Sequence, residues 1–197
     1  MDLNKINVKF FVADPDGVSP GVSLDAFIGV FNSWIQASDG EYYDLADYGH
    51  VPAGPGIVLV AHEANISIDN GENRLGLLYS RKQPLAGANR EKLGSAFKAA
   101  LGYCRKIEDE PALGGRLSFR ADEALVIVND RLAAPNTEAT FAAVRPDVEA
   151  LARTLFGGAE FSLEREPDPK KRFGVRIKSA ASLDIQALLE NIAGNAN

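Results

Sequence analysis

The sequence predicts an α+β fold, a mostly antiparallel sheet with helices packed on one face, around a ferredoxin-like (split βαβ) core. The first indication is a repeated segment, L-A-x-x-N-x-E, at residues 85–91 and again at 132–138. The second is its setting, because an arginine and an apolar run precede each copy and a helical pattern ending at Gly-Gly follows. The third is the order strand, helix, strand, strand, helix, strand over residues 74–166. Together these features predict an internal pseudo-repeat, with extra strand–helix units at both ends.

Length and composition place the chain among single globular domains. We expect one domain over residues 1–197, with the duplicated core at 74–166, a strand–helix–hairpin extension at 1–73 and a strand–helix extension at 167–197. Cys104 is the only cysteine, and the N-terminal sequence has no pattern of a signal peptide, so a cytoplasmic location is expected. The aliphatic run at 57–61 is far too short to span a membrane. The net charge of −6 disfavours binding to nucleic acid or to an anionic membrane.

The N-terminal part alternates between strand patterns and turn residues. A strand is predicted at 6–13, a turn-rich loop at 14–21, and a helix that starts at the cap Ser23 and ends near Gly40. Strands are then predicted at 42–51, 57–61, 65–69 and 75–79. The proline- and glycine-rich segment 52–56 breaks the first of these, and Asn70-Gly71 marks a hairpin turn.

The C-terminal part contains three further helical patterns. They start at the caps Asn89, Asn136 and Ser182, and Pro146 should kink or divide the middle one. Short strands are predicted at 117–119 and 125–128, around a turn at 121–123, and at 161–163 and 173–177. The basic run 170–172 follows acidic residues, which is typical of a solvated hairpin of mixed charge.

A candidate ligand site follows from the predicted topology. In a split βαβ fold the strands ending at Tyr79 and Val128 are parallel neighbours, so the loops after them emerge side by side. Two helix N-termini with free backbone N–H groups would meet there, and this arrangement suits phosphate or carboxylate. The residues expected at this site are Arg81, Lys82, Asn89, Asn129, Arg131 and Asn136.

A purely structural interpretation of the same residues stays open. Asn89 and Asn136 are ordinary helix caps, and Glu91 and Glu138 complement the helix dipoles while repelling an anion. Arg131 has acidic neighbours in sequence with which it could pair.

The two histidines, His50 and His62, flank the turn at 52–56 and are candidate pocket residues. A hairpin that pairs Val51 with Ile57 would set His62 opposite Ala46, and the two histidines would then lie roughly 13 Å apart. A shared metal site is therefore not expected, although one histidine could serve in a pocket with Asp44 or Asp47.

Sequence motifs do not identify a reaction or a cofactor. Segment 54–56 lacks P-loop spacing, no dinucleotide-binding glycine pattern occurs, and one cysteine excludes C-x-x-C. We expect no cofactor. The favoured function is the binding of a small anionic molecule at paired helix N-termini, with enzymatic activity left open. The alternative is a non-enzymatic interaction or assembly protein, such as a homo-oligomer. A cavity at the paired loops favours the first function, and a flat apolar patch on the free sheet face favours the second.

Overall fold

The computed structural model describes residues 1–13 and 21–194, and most of the turn-rich loop predicted at 14–21 lies outside these ranges. The described residues form one eight-stranded sheet in which every neighbouring pair is antiparallel, with the order β2-β3-β4-β5-β1-β6-β8-β7. The strands are β1 (Ile6–Val12), β2 (Tyr42–Tyr48), β3 (Gly56–Ala61), β4 (Ala64–Asp69), β5 (Gly76–Arg81), β6 (Phe119–Val128), β7 (Phe161–Arg165) and β8 (Gly174–Ser179). The helices are α1 (Leu24–Ala37), α2 (Asn89–Glu108), α3 (Glu138–Leu155) and α4 (Ile185–Gly194).

The helices pack against one face of the sheet because the strands alternate aliphatic side chains towards that face. On β1, Val8 and Phe10 enter a hydrophobic core that also contains Phe97 of α2 and Val148 of α3. The remaining helices add Phe31 and other residues to the same core. The predicted α+β class with an antiparallel sheet is thus confirmed. None of the described helices is long and apolar enough to cross a membrane.

The predicted adjacency of the two central strands is wrong. Strands β5 and β6 run in the same direction, but β1 lies between them and forms antiparallel ladders with both. The physical reason is that all seven residues of β1 are buried, so the N-terminal strand takes the middle of the sheet and both its edges are hydrogen-bonded. The predicted turn at 121–123 is also wrong, since β6 is continuous from Phe119 to Val128. The sheet order does not support the split βαβ core, and the pseudo-repeat remains a similarity of sequence.

Three local predictions about helices need correction. Helix α3 continues through Pro146 without being divided. Its N-cap is Thr137, whose hydroxyl accepts from the Thr140 N–H at 3.2 Å, and not Asn136. At α4, the Asp184 carboxylate accepts from the Ala187 N–H at 2.8 Å, so the capping side chain is two residues beyond the expected Ser182.

The start of α2 also differs from the prediction. Ala88 occupies the N-cap position, and the Glu91 carboxylate reaches back to accept from the Ala88 N–H at 2.8 Å. Asn89 is therefore the first helical residue, and its side chain is free to bind elsewhere.

The second face of the sheet is not covered by any of the four described α-helices, and it has an unusual side-chain composition. On β1 this face presents Asn7, Lys9 and Phe11, which are all buried although two of them are polar. Loops 49–55, 70–75 and 166–173 border this face. This face therefore combines a partly polar floor with surrounding loops.

Candidate functional site

A cleft of about 610 Å³ lies on the helix-free face, over strands β4, β5, β1, β6 and β8. Its volume falls within the range of roughly 300–1,000 Å³ that is usual for small-molecule sites. Residues 53–55 and 71–72 from two loops border it on one side, and the ends of β5 and β6 border it on another. The cleft therefore has a floor made by the sheet and walls made by loops and strand ends.

The floor contains a row of uncharged polar side chains on three adjacent strands. Asn65 on β4 is paired in register with Ser80 on β5, and Ser80 is paired with Asn7 on β1. The next residues in the same register are apolar, namely Ile127 on β6 and Gly174 on β8. Because paired residues of neighbouring strands point to the same face, these side chains lie side by side across the cleft.

Two of these floor amides have no hydrogen-bond partner among the described residues, and the Asn65 oxygen is the buried atom of the two. Asn7 is only 3% exposed, yet its side chain forms no hydrogen bond to the described residues. The Asn65 Oδ1 atom is buried and likewise lacks a hydrogen-bond partner within the described part of the chain. A buried polar group without a partner costs about 1–3 kcal/mol. Such groups in a cleft are suited to a ligand that supplies the missing hydrogen bonds.

One end of the cleft is closed by a lysine that is fully occupied in holding a loop. The Lys9 ammonium donates to Asp69 Oδ1 at 2.5 Å, to the Gly71 carbonyl at 3.0 Å and to the Arg74 carbonyl at 2.7 Å. Burial lowers the pKa of Lys9, and the Asp69 carboxylate opposes this shift. All three ammonium hydrogens have acceptors, so Lys9 fixes the loop after β4 and has none left for a ligand.

A second ionic cluster at this end surrounds Glu123, whose side chain is 3% exposed. Its carboxylate accepts two hydrogen bonds from Arg74, at 2.7 and 2.9 Å, and one from Arg176 at 2.6 Å. Arg74 also stacks on the Phe11 ring, with 3.7 Å between the guanidinium carbon and the ring centroid. Burial alone raises the pKa of Glu123, but the two guanidinium groups outweigh it and lower that pKa to about 2. This cluster joins the β4–β5 loop to β6 and β8 and is neutralised within the protein.

The opposite end of the cleft is basic. Arg81 and Lys82 follow β5, Asn129 and Arg131 follow β6, and Arg172 precedes β8, and all five line the cleft. We call these five residues the basic rim.

The pairing of the basic rim is incomplete. Arg81 is paired with Glu63, and it donates to the Gln83 carbonyl at 2.9 Å. Arg131 donates to the Lys170 carbonyl at 2.6 Å, and Arg172 donates to Asn129 Oδ1 at 3.3 Å.

Three positive charges of the rim have no counter-charge among the described residues. Over residues 1–13 and 21–194, Lys82, Arg131 and Arg172 form no ion pair with a carboxylate. Among the described residues that line the cleft, the basic ones outnumber the acidic ones: Lys9, Arg81, Lys82, Arg131, Lys171 and Arg172 against Asp69, Glu72 and Glu166. A local excess of positive charge in a chain of net charge −6 indicates attraction for an anion.

Four of the six ligand residues expected from the sequence thus line one cleft, and the other two lie outside its lining. Asn89 Oδ1 accepts from the Leu3 N–H at 2.9 Å, and its amide donates to the Met1 carbonyl at 2.9 Å. The Asn136 amide donates to the Glu166 and Asp168 carbonyls at 3.0 and 2.8 Å. Both asparagines hold chain segments in place, and neither helix N-terminus lines the cleft.

The histidines lie apart from this cleft and from each other. The pairing of Asp47 with Ile57 gives a wider turn than predicted, so His50 is in the turn and His62 follows the other end of β3. Both are exposed. His62 lines a separate pocket of about 320 Å³ with Tyr103 of α2. No group of three or more His, Cys, Asp or Glu side chains in the described ranges is placed to hold a metal ion.

The floor and part of the rim have no counterpart in the sequence-based site. Arg172 belongs to the basic run predicted as a solvated hairpin, and it lies at the rim instead. Asn7 and Asn65 carry a signal that a sequence shows, namely polar residues at alternate positions of strongly apolar strands. That signal indicates a polar second face, but it does not show which strands lie next to each other.

Comparisons of the chain with protein-family models, with curated proteins and with solved structures found no match.

Proposed function

We propose that this protein binds a small anionic molecule in the cleft on the helix-free face, with the anionic group at the basic rim. The observation that carries the proposal is the set of three rim cations, Lys82, Arg131 and Arg172, that have no carboxylate partner in the described residues and border a cavity of ligand size. Arginine side chains offer planar pairs of donors that match phosphate and carboxylate. The site differs from the sequence-based one because side chains, and not helix N-termini, would hold the anion.

The carboxylates that would neutralise the rim are engaged elsewhere. Glu91 caps α2, and Glu138 pairs with Arg165 at 2.7 Å. The Asp130 carboxylate accepts from the backbone N–H groups of Leu132 and Ala133 at 3.2 and 3.1 Å. A ligand anion is therefore a better partner for Arg131 than the acidic residues nearest to it in the sequence.

The proposal is tested by titrating inorganic phosphate into the protein at constant ionic strength and measuring heat of binding and melting temperature. The unaltered protein should show saturable binding and a rise in melting temperature that grows with phosphate concentration. The double variant Arg131→Ala, Arg172→Ala should stay folded, because both side chains lie at the rim, and should lose at least about tenfold in affinity.

The matched control is the double variant Arg105→Ala, Arg145→Ala. These arginines lie on α2 and α3, where they pair with Asp109 at 2.8 Å and Glu149 at 2.6 Å. The control changes the net charge equally and should bind phosphate as the unaltered protein does. Equal losses of phosphate affinity in both double variants would show a general charge effect. If the unaltered protein showed no saturable phosphate binding, the proposal would be contradicted.

The alternative, assembly through a sheet edge, is supported by β2. This strand is at one end of the sheet order, and its Tyr43 and Tyr48 side chains are 55% and 44% exposed. Exposed edges of this kind can pair with another chain. Sedimentation equilibrium should then show a dimer that Tyr43→Lys, Tyr48→Lys dissociates, without any effect on phosphate binding.

A further inference from the structure

We infer that the ligand is a polyhydroxylated anion, such as a sugar acid or a sugar phosphate, whose hydroxyl groups bind the row Asn65–Ser80–Asn7. This inference rests on the proposed function and adds the chemistry of the uncharged part of the ligand. It is drawn from the floor of the cleft, whereas the proposed function is drawn from the rim.

Asn65 has an unsatisfied hydrogen-bond acceptor in the floor of the cleft. Its Oδ1 atom is buried and accepts no hydrogen bond from any described residue. The residue itself is only half-buried and lines the cleft, so a turn of the amide brings this acceptor within reach of a donor in the cleft. A hydrocarbon chain in the cleft would cover this acceptor and leave it unsatisfied, which is unfavourable. A ligand hydroxyl can donate to Oδ1 and also accept a hydrogen bond.

The polar row is long enough to contact several groups of one ligand. Neighbouring strands lie about 4.8 Å apart, so the backbones of Asn65 and Asn7 are separated by roughly 10 Å, with Ser80 between them. The Asn7 side chain forms no hydrogen bond within the described ranges, and the amide and hydroxyl groups of the row offer both donors and acceptors. A chain that carries several adjacent hydroxyl groups matches this row better than a ligand with one polar group.

The side chains that flank the row are aliphatic. Leu78, Leu125 and Ile127 flank the polar groups, and the described lining of the cleft contains no aromatic side chain. Flat heterocycles such as nucleobases usually bind by stacking on aromatic rings. Aliphatic walls beside a polar row instead suit the C–H faces and hydroxyl edges of an open-chain or cyclic sugar.

The experiment compares ligands of equal charge and similar carbon skeleton. Gluconate is compared with hexanoate, and ribose 5-phosphate with pentyl phosphate, by isothermal titration; inorganic phosphate serves as the reference for the rim. The unaltered protein should prefer the hydroxylated member of at least one pair by about tenfold or more, and the two pairs distinguish a sugar acid from a sugar phosphate.

Two variants then assign the preference to the row. Asn65→Leu and Ser80→Ala should each reduce the preference to within about threefold, while the affinity for inorganic phosphate stays within about twofold. Asn65→Leu should also leave the ligand-free melting temperature unchanged or raised, because the unpartnered buried oxygen is removed. The Ser80 variant gives the answer if Asn65→Leu does not fold.

The outcomes separate this inference from the proposed function. Phosphate binding with no preference for hydroxylated ligands, or a preference that both variants retain, overturns the inference and leaves anion binding in place. The absence of binding for every anion overturns both.

Discussion

At the residue scale, the helix-free face shows two different uses of buried polar side chains. Lys9 and Glu123 are saturated by protein partners and hold the β4–β5 loop against the sheet. Asn7 and Asn65 lie on the same face without such partners in the described residues. Because buried polar groups are normally paired, Lys9 and Glu123 contribute to stability, and Asn7 and Asn65 are the groups for which we propose a ligand as the missing partner.

The pairing of Glu123 predicts a pH-dependent contribution to stability. Its pKa in the folded protein, about 2, is lower than the usual value of 4.5, so the stabilisation is present above about pH 4.5 and is lost as pH falls towards 2. Glu123→Gln should lower the free energy of unfolding by about 3 kcal/mol at pH 7, because two guanidinium groups lose their carboxylate. The difference from the unaltered protein should shrink between about pH 5 and pH 2.

Urea denaturation at a series of pH values measures this effect. The control is Glu164→Gln, since the Glu164 side chain is 58% exposed and lies 3.5 Å from Lys178. The free energy of unfolding of that variant should fall by less than about 1 kcal/mol. If the difference in free energy of unfolding between Glu123→Gln and the unaltered protein stays constant with pH, the substitution has destabilised the protein through packing and not through charge.

At the element scale, the starts of α2 and α3 show why a motif does not fix the role of its residues. Both copies of L-A-x-x-N-x-E lead into a helix, yet their asparagines have different partners. Asn89 binds the N-terminal residues, and Asn136 binds the β7–β8 loop. The capping itself comes from Glu91 and Thr137. Local sequence predicts that a helix starts there, but the partner of each amide depends on segments distant in sequence.

Two neighbouring substitutions separate these roles. Thr137→Ala removes one capping hydrogen bond and should lower the free energy of unfolding by about 1 kcal/mol. Asn136→Ala removes two hydrogen bonds to loop carbonyls and one from Arg165 at 2.9 Å, and should cost about 2–3 kcal/mol.

Hydrogen exchange provides the distinguishing readout. Asn136→Ala should speed amide exchange in residues 166–173 but leave the first turn of α3 protected, and Thr137→Ala should do the reverse. The same exchange pattern in both variants would show that Asn136 acts as a helix cap, as its sequence position suggests.

At the scale of the whole molecule, the sequence predicts the elements better than their arrangement. Periodicity and turn residues identify the strands and helices because these signals are local. The central position of β1 is set by pairing with strands about 70 and 120 residues away, which no local pattern reports. Four of the five rim residues could be predicted because they follow β5 and β6, which run in the same direction. Arg172 could not, since it belongs to a segment expected to be a solvated hairpin. The floor could not, since Asn65, Ser80 and Asn7 become neighbours only through the strand order.

The insertion of β1 also changes where a ligand can bind. With β5 and β6 adjacent, the expected site lay between two helix starts. With β1 between them, the strand ends are farther apart, and the residues after them border a cleft over β1 on the helix-free face. The charge pattern expected from the sequence is therefore placed on the other side of the sheet from the helices.

The most direct test of anion binding in this cleft is a titration of isotopically labelled protein with inorganic phosphate, followed by NMR at constant ionic strength. We predict saturable shifts of the backbone amides of Lys82, Arg131 and Arg172 and of the Asn129 side-chain amide, with one dissociation constant. The NMR signals of the backbone amides at the starts of α2 and α3 should not shift. Saturable shifts at those helix starts and none at the basic rim, or no saturable shift anywhere, would contradict the account.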